Sequence, residues 1–220
     1  MHILLLAALA EEADAFLPGQ GDVRMEGWLP VRTLESYGHA ITIAVTGIGK
    51  VNAASTAAHL MGRNPADLIA ITGTAGKIGT LAGDCFYLAR AIQHDYGAER
   101  PGQFVHYDAG TVPLGPASVT PMSSLADPGT GLPQALIASG DAFVECPDHA
   151  RFLSEGLKAD IVDMETAALA QFAARIGRPW AGIKATTDDA NHDSAGDFQT
   201  NLRRASKRAA EAMERLIQLL

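Results

Sequence analysis

Two short acidic segments are the residues best suited to chemistry: Val162-Asp163-Met164-Glu165-Thr166 and Lys184-Ala185-Thr186-Thr187-Asp188-Asp189. In each, a short apolar run meets acids, the look of a buried strand arriving at the edge of an α/β sheet. The pattern puts two carboxylates at the ends of neighbouring strands, where open α/β sheets build their sites, and carboxylates there are suited to proton transfer with a bound small molecule. Blander roles stay open at this level. Glu165 can charge the start of its own helix, Asp188 can begin a turn with Asp189, and Glu12 can be an exposed first-turn acid like Glu11.

The elements that would position these acids are legible as short apolar runs: Ile41 to Thr46, Leu68 to Thr72, Cys85 to Ala89, Ala135 to Ser139, Ile161 to Met164 and Trp180 to Ala185. A buried first strand within Met1 to Leu9 runs into an acidic turn at Glu11-Glu12. Val51 to Met61 and Glu165 to Ile176 have helical composition, so the chain reads as βα units and a three-layer α/β/α fold with a central mixed sheet. From Asp197 to Leu220, apolar residues recur at spacings of three or four, which predicts a long amphipathic closing helix. The stretch from Gln93 to Pro133 is rich in Gly and Pro and reads as a long functional or interface loop. Three small-residue turns follow strands, at Thr46 to Lys50, Thr72 to Gly76 and Ser139 to Phe143, and glycine there permits close approach of backbone to a ligand. Neither the dinucleotide fingerprint nor the P-loop is matched.

With 220 residues, 47% of them hydrophobic, the expectation is one domain, residues 1–220, around one sizeable core. A formal net charge of −8 argues against a nucleic-acid groove or an anionic membrane surface and favours small-molecule chemistry. The two cysteines, Cys85 and Cys146, have no metal or redox spacing, so no metal site and no disulfide framework is expected. No apolar run reaches the roughly 18 residues of a membrane span, and the amino terminus lacks the basic start of a signal peptide. A cytoplasmic location is expected.

In order along the chain, Ala8-Leu9-Ala10-Glu11-Glu12, Thr46-Gly47-Ile48-Gly49-Lys50-Val51, Thr72-Gly73-Thr74-Ala75-Gly76, Gly140-Asp141-Ala142-Phe143, Val162-Asp163-Met164-Glu165 and Ala185-Thr186-Thr187-Asp188 stand as six blocks. Together they resemble the signature blocks of the purine nucleoside phosphorylase and nucleosidase superfamily, most of all the methylthioadenosine/S-adenosylhomocysteine nucleosidases. The resemblance implies cleavage of an N-glycosidic bond in a purine nucleoside, without metal or cofactor, by a homodimer. It assigns Asp188 to hydrogen-bonding and protonating the purine N7. Glu165 would accept hydrogen bonds from the ribose hydroxyls and favour the sugar cation, and Glu12 would orient and deprotonate the attacking water. Substrate contacts are implied for Leu9, Ile48, Thr74, Phe143, Val144, Met164, Thr187 and Phe198. Phe143 would stack on the base, the Val144 backbone would read its edge, Met164 would pack on the sugar, and Phe198 would close the 5′ side.

Three departures bear on the readings within that superfamily. Hexameric phosphorylases carry a phosphate-binding arginine where this chain has Ile71, and Glu12 repels a phosphate nucleophile while suiting water, so hydrolysis is expected over phosphorolysis. Asp163 and Lys184 stand where Glu and Arg are usual; if the two groups pair, both ends have changed together. The segment Gln93 to Pro101 keeps the His-Asp of the family but not the residues that follow, which leaves the 5′ substituent open. Arg100 is there either to meet an anionic 5′ group or as an exposed surface residue. A non-catalytic nucleoside-binding protein is the remaining alternative.

Overall fold

The computed structural model describes residues 1–220. In chain order the elements are β1 (His2–Ala7), α1 (Ala10–Ala15), β2 (Asp22–Glu26), β3 (Leu29–Ser36), β4 (His39–Val45), α2 (Lys50–Arg63), β5 (Leu68–Lys77) and β6 (Cys85–Gln93). They continue with β7 (Gly97–Arg100), β8 (Gln103–His106), β9 (Met122–Ser123), β10 (Gln134–Ser139), α3 (Pro147–Gly156), β11 (Ile161–Asp163), α4 (Thr166–Arg175), β12 (Trp180–Asp188) and α5 (Ser194–Gln218). β1 is apolar on both faces because it is interior: it pairs in parallel with β4 on one side and β5 on the other.

Ten strands form one mixed sheet. β5 pairs with β12, β12 with β6, β6 with β10, β10 with β11, and β11 returns antiparallel to β5, so half of the sheet closes into a barrel-like circuit. From the other edge of β5 the order runs on through β1, β4, β3 and β2. α2 and α4 cover one face with Ala53, Ala57, Leu60, Ala167, Leu169, Ala170 and Ala173. α1 and α5 cover the other, where α5 buries Ala205, Ala209, Met213, Leu216 and Ile217. Each fully buried Leu, Ile or Met contributes about 1.5 to 3 kcal/mol, so the stripe on α5 is the main adhesive of that layer. α4 ends where Gly177 takes φ 65°, with Arg178 N–H bonding Ala173 C=O at 2.9 Å, a left-handed stop that only glycine adopts cheaply.

The three-layer architecture with a mixed central sheet is the expected one, with four local corrections. Thr72 to Gly76 is not a turn; it lies inside β5, which runs on to Lys77 because β12 and β11 both pair with this stretch. Gln93 to Pro133 is not loop throughout: β7 and β8 form a hairpin, and β9 adds to β6. Glu11 and Glu12 lie on the short helix α1 rather than in a turn. The acid-bearing strands β11 and β12 are not neighbours but flank β5, with Val162 and Asp188 both in register with Gly76. No helix is long and apolar enough to cross a membrane.

Candidate active site

β1 ends at Ala7 and the chain enters α1, whose first N–H groups need acceptors. Glu12 reaches back to supply one: Oε2 accepts from the Ala8 and Leu9 N–H groups at 3.0 Å each. Oε1 accepts from the Thr74 N–H and from the Thr74 hydroxyl, both at 2.8 Å. Glu12 is therefore a first-turn acid, but a buried one pinned across the sheet to β5. That contact requires Gly73, where a Cβ would stand 2.5 Å from Glu12 Oε1 and where φ is 143°.

Glu165 sits at the start of α4 but makes no cap bond with its side chain. Asp163 caps that helix instead, accepting from Thr166 N–H at 3.2 Å and from the Thr166 hydroxyl at 2.5 Å. Glu165 is thereby released to turn outward, where Oε1 accepts from Gly49 N–H at 2.9 Å. Behind both acids, Lys184 on β12 is 1% exposed, with Nζ 3.2 Å from Asp163 Oδ2 and 3.9 Å from Glu165 Oε2. The lysine and aspartate that differ from the family pattern thus do pair. Nζ has no aligned hydrogen bond, so Lys184 acts as a buried point charge. Burial tends to discharge it, but Asp163, Glu12 and Glu165 outweigh that and hold it charged, its pKa raised. Burial, then the charge of Asp163, pushes the Glu165 carboxyl up to about 7 against the pull of Lys184 and the Gly49 donor.

Asp188 closes β12. Its Oδ1 accepts from Ala190 N–H at 3.0 Å, the local turn expected of an Asp here, and its Oδ2 accepts from the Thr187 hydroxyl at 2.8 Å. A Cβ on Gly76 would lie 3.1 Å from Oδ1, so β5 is shaped for this carboxylate as it is for Glu12. Opposite the acids, Phe143 from the turn after β10 meets Phe198 from α5 edge to face at 5.9 Å.

These groups enclose a cavity of about 430 Å³, the size of a small-molecule site. Glu12, Glu165, Asp188, Leu9, Ile48, Thr74, Phe143, Val144, Met164, Thr187 and Phe198 all line it. Residues 9 to 198 of the chain therefore meet in one place. Sequence reasoning did not put Ala8, Ala75, Gly76, Ala142, Val162, Asp163, Ala195 or Gln199 on the wall; the first six lie within blocks already singled out, while Ala195 and Gln199 come from the start of α5. Arg100 is not there. It lies in the β7–β8 hairpin, exposed, and donates to the Tyr107 hydroxyl at 3.0 Å, which is the surface reading rather than the anion-binding one.

The sequence profile of the phosphorylase superfamily matches residues 5–218. A relative from Geobacillus thermodenitrificans, named as a 5′-methylthioadenosine/S-adenosylhomocysteine nucleosidase, is 33% identical over 178 residues, 76% of this chain and 74% of its own. The solved S-adenosylhomocysteine nucleosidase of Streptococcus pyogenes, in complex with 5-methylthiotubericidin, is 28% identical with a TM-score of 0.86, covering 100% of this chain and 97% of that one. A futalosine hydrolase mutant of Helicobacter pylori shares the fold at 21% identity, TM-score 0.85, with full coverage of both chains.

Proposed function

The chain belongs to the phosphorylase superfamily, and on that premise we propose that it is a nucleosidase, a hydrolase that uses water to cleave the N-glycosidic bond of a 5′-substituted purine nucleoside. The observation that carries this reading is a cavity wall that holds acids and no cation. Of its 19 lining residues four are carboxylates, Glu12, Asp163, Glu165 and Asp188, and none is Lys, Arg or His. A phosphate nucleophile would enter with no cation to receive it, since Lys184 is buried behind the wall and engaged by Asp163 and Glu165. Water needs only an acceptor, and a carboxylate wall favours the positive charge that develops on the sugar.

In this reading Asp188 gives a proton to the purine N7 as the bond from the sugar C1′ to N9 breaks and its electron pair leaves with the base. Glu165 accepts hydrogen bonds from the ribose hydroxyls, and Met164 packs on the sugar face. Water bonds to C1′ and its proton passes to Glu12. All of the Glu12 donors but one are backbone amides; the Thr74 hydroxyl is the exception, a rotor that can turn away and admit the water. With Phe143 on the base, Leu9, Ile48 and Phe198 offer apolar surface and no countercharge, so the 5′ group is an uncharged thioether, with 5′-methylthioadenosine preferred to S-adenosylhomocysteine. The active protein is a homodimer.

The test is to supply 5′-methylthioadenosine, S-adenosylhomocysteine, adenosine, inosine and a futalosine-type nucleoside and to separate the products. Free base and free sugar, released fastest from the methylthio nucleoside, are expected. Preference for a carboxylate-bearing nucleoside would contradict the 5′ assignment, and cleavage of none would favour a non-catalytic nucleoside-binding protein.

A further inference from the structure

Outside the cavity, three charged side chains tie together the two turns at its mouth. Lys50 opens α2, and its Nζ donates to Asp95 Oδ1 at 2.6 Å and lies 3.8 Å from Asp141 Oδ2. The Lys50 N–H donates to Asp141 Oδ1 at 2.8 Å, and the Asp141 N–H donates to Asp95 Oδ2 at 2.8 Å. None of the three lines the cavity. Immediately before Lys50 stands Gly49, at φ 103°, where a Cβ would lie 3.2 Å from Asp141 Oδ1. Its N–H is the donor to Glu165 Oε1.

We infer that Lys50, Asp95 and Asp141 form a positioning clamp that holds the Gly49 N–H on Glu165 and so sustains the charge of that carboxylate from outside the cavity. The effect on turnover rests on the sugar-binding role proposed for Glu165; the effect on its ionisation does not. Glu165 is faced by Asp163 from β11, Lys184 from β12 and Glu12 from α1, and the Gly49 amide is the hydrogen bond that favours its charged form. Losing a donor to the charged form of an acid raises its pKa. Around the clamp itself, Asp95 is faced by Lys50, by His94, which burial pushes down to about 4, and by His106 from β8.

The clamp makes a prediction that long-range electrostatics does not. Asp95→Ala removes a negative charge, which by field alone lowers the Glu165 pKa; Lys50→Met removes a positive charge, which raises it. A released Gly49 raises it in both. The experiment is a 13C NMR titration of the Glu165 side-chain carboxyl, its signal assigned by its loss in Glu165→Gln. An upward move of about one pH unit in Asp95→Ala and in Lys50→Met, the worth of one charge-assisted hydrogen bond, is expected, with Lys50→Arg unchanged. No move, or a downward move, in Asp95→Ala overturns the clamp. Should Asp95→Ala fail to fold, Asp141→Ala, which removes the acceptor of the Lys50 N–H, carries the same sign test. The acid limb of the kcat/KM profile moves in the same direction. A wild-type protein with no turnover would refute the nucleosidase reading while the titration still decides the clamp.

Discussion

Each acid in the cavity is held differently, and the differences give each a different expected response. Asp188 has one oxygen on a backbone amide and one on the Thr187 hydroxyl, so Asp188→Asn keeps the shape and removes the proton. Turnover should fall at least about a hundredfold, the usual scale for a catalytic acid; a near-normal kcat would remove Asp188 from the mechanism. Glu12→Gln replaces an acceptor that binds four donors, and a loss of similar size in kcat is expected; an unchanged rate would refute water activation. Glu165 also links pH to stability. Its folded pKa lies above the ordinary 4.5, near 7, so the folded state binds its proton more tightly than the unfolded chain. The stabilisation is complete below about pH 4.5 and is lost as pH rises through 7. Urea midpoints at pH 5 and pH 8 should show a larger drop for wild type than for Glu165→Gln, with apparent values that belong to the Asp163, Glu165 and Lys184 set together; equal drops would show that Glu165 is ordinary.

Three strands and two glycines explain why acids so far apart in sequence converge. β5 stands between β12 and β11, and its Gly73 and Gly76 leave the space that Glu12 and Asp188 occupy. Gly73→Ala puts a side chain at φ 143° against the Glu12 carboxylate, so a loss of about 1 to 3 kcal/mol in denaturant unfolding and a drop in kcat are expected together. Unchanged stability and rate would mean that β5 is more pliant than its packing indicates. Much of this was legible: the runs that became β1, β4, β6, β10, β11 and β12 are apolar because they are interior, and burial leaves a mark in composition. β2 was not legible although Asp-Val-Arg-Met-Glu alternates polar and apolar residues: five residues are too short a run to stand out, and its apolar side chains are exposed rather than buried in a core. The end of β5 misled because glycine inside a strand and glycine in a turn look alike until the partner strands are known. Asp163 was seen as half of an ion pair with Lys184, but its work as the cap of α4 depends on a rotamer that no spacing announces.

At the scale of the whole molecule, the sheet's barrel-like half gathers the acids and its open half exposes apolar side chains. Val23, Met25 and Trp28 on the β2–β3 hairpin and Val51 on α2 are all more than half exposed, between 60% and 76%. Apolar surface of that kind suits an interface, and light scattering should return twice the chain mass of 23.1 kDa; a monomer at working concentrations would contradict the homodimer. Chain charge and cavity charge point the same way. The whole chain carries a formal net charge of −8, four of its acids line the cavity with no cation beside them, and both features disfavour an anionic nucleophile. The most direct test is to run cleavage of 5′-methylthioadenosine in 18O-labelled water with phosphate present and to identify the sugar product by mass. Free sugar carrying the label at C1, at a rate independent of phosphate, is expected; unlabelled sugar 1-phosphate, formed only when phosphate is added, would contradict hydrolysis and make the protein a phosphorylase.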